Sequence, residues 1–379
     1  MKVLFFTNTN VAIGAGIEKA LINYVSDHGE DEVTVVQSQY YKIKRVDPGI
    51  LNNLNVKIIT IQDFEHSISF FRLHRITIPL YQVLLAFVVR YTKFYNRNTL
   101  RDAGNEDVVY LFKNEYWPLF RARIIIGSNH GQFAFDNSFT RVLSLFIRSG
   151  ILYRGINAFH LFPKSAAMGK RMRKRLFLGP IGISTDKYVP QPRGQAINIL
   201  FVGRLEVIKG IDIFVDISRR FKNESTFRFH IAGSGSFEAE IRKSNYDNVE
   251  YHGVLDEQEL ASLYGSCDIF LYPTRWDAFP TVIIEAASSG EYIVASDRLS
   301  GVYDDLLDKG FLEYTRLDTD SIETRLRTLA KNIETVRKNA AYEHEYIAEN
   351  YDNRVVTRNL YTNLHKLINE SDSSVNVCQ

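Results

Sequence analysis

The feature that most restricts this chain is a rhythm. Short runs of β-branched and aromatic residues alternate with amphipathic stretches of helical period, and the pattern occurs twice. In the first half the runs are Val3–Phe6, Val33–Val36, Val56–Ile61, Val108–Phe112, Arg123–Ile126 and Ala158–Phe162. In the second they are Ile197–Val202, Phe227–Ile231, Val249–Tyr251, Ile269–Tyr272 and Tyr292–Ala295. Helical patterns such as Ile17–Val25, Ile208–Phe221, Asp256–Tyr264 and Thr281–Ala287 lie between them. Apolar strands joined by amphipathic helices mark βαβ units with parallel sheets buried on both faces. The chain is therefore predicted to be α/β, with two doubly wound Rossmann-like domains. Gly179, Pro180, Gly182, Pro190, Pro192 and Gly194 cluster between the two series and mark the seam. The first domain is expected over residues 1–185 and the second over 195–353, with a helix at about 354–370 packing back on the first. Beyond Asp318 the pattern is helical, through Ser321–Lys338 and Asn353–Ile368, until a polar tail from Glu370 is expected to fray.

A length of 379 residues suits two domains. With 45% hydrophobic and 24% charged residues, the composition excludes a disordered or collagen-like chain. Cys267 and Cys378 are too few for a disulfide framework or a four-cysteine zinc site and suit a reducing compartment. The net charge of +2 conceals an asymmetry: residues 1–190 carry 25 Lys+Arg against 14 Asp+Glu, whereas residues 191–379 carry 21 against 30. A basic half points to an anionic partner such as a membrane surface, a phosphorylated lipid or nucleic acid, or else reflects chance and solvated faces. No nucleic-acid-binding module accompanies it. The start of the chain runs from Met1 straight into strand-length Val3–Phe6 and does not read as a secretory signal. Ile78–Val89, bounded by Arg75 and Arg90 and containing Pro79 and Gln82, is too short to span a bilayer. With Phe70, Phe71, Arg72, Tyr91, Lys93, Phe94, Tyr95 and Arg97 around it, this segment is either a core helix or one lying among lipid headgroups. A cytoplasmic protein, peripheral on the inner membrane face, is the corresponding expectation.

Ligands of open parallel sheets bind at the carboxyl ends of the strands, so the loops there hold the candidate chemistry. The loop after Val3–Phe6 leads through Gly14-Ala15-Gly16 into a helix, a turn whose backbone N–H groups can approach an anion. It lacks the third glycine of a dinucleotide fingerprint and the Lys-Ser/Thr of a P-loop. After Ile199–Val202, Gly203-Arg204-Leu205 and Lys209-Gly210 place two cations about a turn, either a diphosphate clamp or a solvated basic loop. After Ile269–Tyr272, Asp277 precedes Phe279-Pro280-Thr281 at a helix start, with Pro280 suited to the first turn. Asp277 is there either an ordinary N-cap or a functional carboxylate. Glu285, in the apolar run Val282–Ala287, is costly to bury unless paired or bound to a ligand. Finally, His130 in Gly127–Gly131 follows a strand and is either an acid–base group or a structural imidazole.

Gly203-Arg204-Leu205 with Lys209-Gly210, Ala232-Gly233-Ser234-Gly235, Tyr251-His252-Gly253 and Asp277-x7-Glu285 with Phe279-Pro280 resemble, as an ordered set, the retaining family 4 glycosyltransferases of the GT-B fold. Pro180–Tyr188 resembles the segment that precedes that family's interdomain linker. The resemblance is dense over residues 180–305 and thin over 20–120. It implies two Rossmann-like domains facing across a cleft, and a sugar moved from a nucleotide-sugar donor to an acceptor with retention of anomeric configuration. It further implies that Arg204 and Lys209 hold the donor diphosphate and that Glu285 accepts hydrogen bonds from the ribose. Asp277 and the backbone after it, at Phe279, Pro280 and Thr281, would meet the transferred sugar. Gly14 and Gly16 would close over the phosphates, His130 would lie near the reacting carbon, and Gly203, Gly233, His252, Gly253 and Val254 would border the nucleotide. The family's first acidic residue is usually Glu and here is Asp277, one methylene shorter; its Gly-x-Pro turn is here Gly290-Glu291-Tyr292.

The implied activity is that of a hexosyltransferase with a lipid-linked or glycan acceptor. No cofactor is implied, and no metal is required where two cationic side chains take its electrostatic role. The acceptor is expected to meet the basic half, including Lys170–Arg175. Two rival readings are a nucleotide-sugar epimerase on the same scaffold and a nucleotide-sugar-binding protein without turnover.

Overall fold

The computed structural model describes residues 1–9, 16–39, 56–65, 67–68, 78–103, 105–129, 153–162, 174–243, 247–277 and 279–375. The chain divides into two compact units, Met1–Pro180 with Val356–Gln379, and Ile181–Val355.

The first unit is built on a seven-stranded parallel sheet of β1 (Lys2–Thr7), β2 (Glu32–Ser38), β3 (Lys57–Ile61), β4 (Glu106–Leu111), β5 (Ala122–Asn129), β6 (Ala158–Leu161) and β7 (Arg175–Leu178). Their order is β3-β2-β1-β4-β5-β6-β7, so the winding reverses between β1 and β4. Five of the six residues of β1 are buried, as a central strand covered on both faces requires. β7 escapes the sequence pattern because it lies at the sheet edge: it is partly exposed and carries Arg175 at the end of the basic run. Gly16–Ser26 forms α1 and Ile78–Tyr95 forms α2. Tyr81, Leu85 and Val89 of α2 pack into a core with Leu111, Tyr116 and Leu119. The last helix, Asn353–Val375, extends beyond Glu370, where the polar composition suggests fraying. Its Thr357 donates to the Asn23 carbonyl at 3.1 Å, and His365 lies 3.1 Å from Asp31.

The second unit holds a six-stranded parallel sheet of β8 (Ile197–Val202), β9 (Phe227–Ala232), β10 (Val249–Gly253), β11 (Ile269–Tyr272), β12 (Tyr292–Ser296) and β13 (Leu312–Thr315), in the order β10-β9-β8-β11-β12-β13. β13, another edge strand, also escapes the sequence pattern, since Glu313 interrupts its apolar residues. The order reverses between β8 and β11, whose carboxyl ends therefore border the crevice where open α/β sheets take ligands. The helices that concern the site are α3 (Ile211–Arg220), α4 (Glu238–Lys243), α5 (Glu257–Ser266) and α6 (Thr281–Ser288). α3 starts three residues later than its periodicity predicts, because Val207–Lys209 tighten into a 3₁₀ turn that ends at left-handed Gly210. The helix expected over Ser321–Lys338 is broken at Asn332.

The turn after α6 departs from an apolar core. Glu291 is fully buried, and its carboxylate oxygens have no hydrogen-bond partner among the described residues. Burial holds its carboxyl well above the usual range, with the Arg193 charge opposing and Asp268 adding to the shift. Glu343 is buried beside it and is raised for the same reason, with Glu291 itself contributing. Arg193 is already engaged with the Ser289 and Gly290 carbonyls at 3.1 and 2.8 Å. The folded Glu291 keeps its proton to a higher pH than the unfolded chain does. Above about pH 5 only the unfolded state ionises, so this group withdraws stability as pH rises, by about 1.4 kcal/mol per pH unit until the folded group titrates. Glu291→Gln is predicted to gain stability over the parent chain progressively from pH 5 towards pH 8. Urea unfolding across that range checks this; a difference independent of pH would contradict it.

Candidate functional site

Three loops at the carboxyl edge of the second sheet are joined backbone to backbone. The Gly203 N–H donates to the Ala232 carbonyl at 3.1 Å, Gly233 N–H to Gly253 at 2.7 Å, and Leu205 N–H to Ser234 at 2.9 Å. A Cβ on Gly233 would stand 1.9 Å from the Gly203 oxygen, so the crossing of these loops admits no side chain. The loop after β11 is tied to the loop after β8 in the same way. A Cβ on Gly210 would meet the Pro273 oxygen at 1.9 Å. Thr274 Oγ1 and the Arg275 N–H both donate to the Ile208 carbonyl, at 3.1 and 2.9 Å. The Arg275 guanidinium forks onto both Asp212 carboxylate oxygens at 2.7 Å, a bidentate pair on α3.

This double tie brings Lys209 to Asp277. The Lys209 Nζ donates to Asp277 Oδ2, and the two side chains are 15% and 17% exposed, screened from water far more than a surface pair. Tyr272, at the end of β11, donates its hydroxyl to the same oxygen at 2.9 Å. Burial first, then the charge of Asp277, push the Tyr272 phenol well above its ordinary value, with Arg204 acting in the opposite sense. The phenol therefore remains a donor. Arg204 itself is exposed, and its charge reaches Tyr272. Asp277 does not serve as the N-cap: Pro280 occupies that position without a side-chain cap, one residue earlier than the first-turn placement read from the sequence. The Pro280 carbonyl instead accepts from Tyr303 OH at 2.9 Å, while Phe279 is buried with its ring 5.0 Å from that of Tyr303.

Glu285 lies on α6, about 6 Å along the axis from Thr281 at 1.5 Å per residue. It is half-buried rather than enclosed, and the Tyr264 hydroxyl on α5 donates to it at 3.1 Å, which offsets its placement in an apolar helix. The His252 ring is engaged with β9: Nε2 lies 3.1 Å from His230 Nδ1, and the two rings stack at 5.4 Å. Glu250 joins them, so two imidazoles and a carboxylate share one face of the sheet. Val254 just beyond is 75% exposed. Of the residues expected on the first domain, Gly16 opens α1, whereas Gly14 and His130 lie outside the described residues.

Sequence reasoning missed a second cluster, at the carboxyl edge of the first sheet. Glu65, buried, accepts from Asn8 at 2.9 Å, from Lys113 at 3.0 Å and from the Tyr81 hydroxyl. Tyr116 donates to Asp63 at 2.6 Å and to Glu65 at 3.2 Å. Burial raises the Asp63 carboxyl against the lowering effect of that Tyr116 hydrogen bond. Except for Tyr81, which lies on α2, these groups follow β1, β3 and β4, so the strand-end rule that located Arg204 and Asp277 also leads to them. Tyr272, Thr274 and Arg275 were within reach of the same rule.

Two parallel doubly wound units, with the candidate residues on the carboxyl edge of the second at its reversal point, give the two-domain Rossmann-like α/β fold class known as GT-B. Within that class, residues 196–332 match the family described as "Glycosyl transferases group 1". Among solved structures, sucrose-phosphate synthase from Thermosynechococcus elongatus superposes with a TM-score of 0.70 at 14% identity, covering 97% of this chain and 99% of that one. Anabaena HepE, solved with UDP and glucose, gives 0.65 at 14% identity over 97% and 100%. In sequence, the chain is 33% identical over 103 residues to an uncharacterized 41.2 kDa protein of the Klebsiella pneumoniae cps region, covering 27% of this chain and 28% of that protein. It is 22% identical to the N,N'-diacetylbacillosaminyl-diphospho-undecaprenol alpha-1,3-N-acetylgalactosaminyltransferase of Campylobacter jejuni, over 93% of this chain and 97% of that protein.

The glycine contacts yield a paired prediction. Gly210→Ala places a methyl group against the Pro273 carbonyl at a φ of 81° and is expected to cost at least about 2 kcal/mol. Gly253→Ala, at φ 71° with open space around it, is expected to cost only about 1 kcal/mol. Chemical denaturation of both variants reads the difference, and equal losses would contradict the close-approach account.

Proposed function

We propose that the protein is a nucleotide-sugar-dependent hexosyltransferase that retains anomeric configuration and passes its sugar to a lipid-linked or glycan acceptor. The observation that carries this reading is the Lys209–Asp277–Tyr272 cluster, with the Arg204 charge reaching Tyr272, at the carboxyl ends of β8 and β11. Cleaving a glycosyl diphosphate develops positive charge at the anomeric carbon and negative charge on the departing phosphate. Lys209 and Arg204 supply the matching positive charge, and the N–H groups that open α6 add to it. No metal is then required. Asp277 accepts hydroxyls of the sugar when the phosphate draws Lys209 away, while Tyr272 continues to orient its carboxylate. Glu285, set by Tyr264, receives the ribose, and Gly203, Gly233 and Gly253 let the nucleotide approach the backbone.

On the acceptor side, the basic first half suits an anionic, lipid-borne substrate at the cytoplasmic face of a membrane. The Campylobacter relative, named for a diphospho-undecaprenol-linked acceptor, supports the same class.

Thermal-shift measurement against UDP-, GDP- and ADP-sugars is expected to show stabilisation by one donor, since a ligand bound only by the folded state raises the midpoint by mass action. With that donor, Arg204→Ala and Lys209→Ala are each expected to lower turnover by about 100- to 1,000-fold. Near-wild-type turnover in both variants, an epimerised donor, or binding without transfer to any acceptor would overturn the reading.

A further inference from the structure

α2 has two apolar faces, and only one of them is used by the core. Tyr81, Leu85 and Val89 point inward. Leu80, Val83, Phe87, Tyr91 and Phe94 are exposed, by 38% to 66%. At 100° per residue these five fall within an arc of roughly 80°. Tyr95 extends the stripe at 59% exposure, and Phe64 backs it, with its ring 4.9 Å from Tyr91 and 5.2 Å from Tyr95. Apolar residues scattered singly over a surface need no explanation, but a contiguous stripe of this kind marks an interaction site.

Charge identifies the occupant. Residues 78–101 contain no Asp or Glu, while Arg90, Arg97 and Arg101 are exposed on and just beyond the helix. Arg90 falls on one margin of the stripe, roughly 80° from Leu80 on the same helical wheel, and Arg97 stands in the turn that follows the helix. The Arg97 guanidinium lies over the Phe94 ring at 5.4 Å, joining the basic margin to the aromatic one. A second copy of the chain is a poor occupant, since two-fold pairing of this face would oppose bases to bases with no acid to answer them. An aromatic stripe with a basic margin instead matches the boundary of an anionic bilayer, where rings occupy the headgroup level and arginines meet lipid phosphates. Among the described residues no helix is long and apolar enough to cross a membrane, so the contact is one of lying on the surface.

We propose that the outward face of α2 docks the protein on anionic membranes, with Phe87, Tyr91 and Phe94 set among the headgroups and Arg90 and Arg97 on lipid phosphates. The proposal rests on the lipid-acceptor reading above and names the surface that serves it. Its test needs neither donor nor transfer.

The full chain is sedimented with vesicles of phosphatidylcholine alone and of phosphatidylcholine with phosphatidylglycerol, at low and high salt. Binding is expected to the anionic vesicles and to weaken with salt. Phe87→Gln with Phe94→Gln is expected to weaken it about tenfold or more. Arg90→Gln with Arg97→Gln is expected to weaken it by about fivefold per base. Because these side chains are exposed, the thermal midpoint of each variant should equal that of the parent. Absence of binding to anionic vesicles, or unchanged binding by the Phe87/Phe94 variant, overturns the proposal. So does self-association that this variant abolishes, since it gives the stripe to a second copy. Vesicle binding without any response to nucleotide sugars would remove the proposed activity and leave the docking surface standing.

Discussion

The arrangement at the carboxyl edge of the second sheet depends on one ion pair between residues 68 positions apart, Lys209 and Asp277. Each belongs to a loop that leaves one of the two strands flanking the reversal point, and the pair closes the gap between them. A partly buried cation without an anion would be costly, and so would the carboxylate alone. The protein meets both costs internally, with Tyr272 fixing the carboxylate from below. The cluster is thus assembled with its charges already compensated.

Preorganisation of this kind comes from the backbone as much as from the side chains. Arg275 gripping Asp212, the Ile208 carbonyl accepting two hydrogen bonds, and Gly210 pressed on Pro273 all hold the lysine-bearing turn in one place. Positioning within a fraction of an ångström is what allows fixed charges to act on a developing one without reorganisation. The buried Glu291 is a local exception to polar satisfaction, located at the turn that ends the helix carrying Glu285.

Central strands were legible in the sequence because burial on both faces leaves a continuous apolar run, as in Val3–Phe6 or Ile269–Tyr272. Edge strands were not: Arg175–Leu178 and Leu312–Thr315 face water in part and mix charge into the pattern. The loops holding Arg204, Lys209 and Asp277 could be found from strand ends, but the bond between Lys209 and Asp277 could not. It arises from the adjacency of β8 and β11, which local spacing does not encode. The same limit hid the pairing of Glu65, whose partners come from three separate segments of the chain. For Ile78–Val89 the sequence left a core helix and a headgroup helix as alternatives, and the helix that contains it, Ile78–Tyr95, has both a core face and an open apolar face.

The crossing of Gly203 and Gly233 has an evolutionary corollary. Where two main chains touch without room for a methyl group, inheritance is confined: the path of these loops is frozen, and drift must proceed through whatever projects from them. Ser234 and Val254 project into solvent around that frozen path, each replaceable at little cost to folding. Exchange of rim side chains can therefore reshape the surface of these loops while the main-chain path beneath them stays constant.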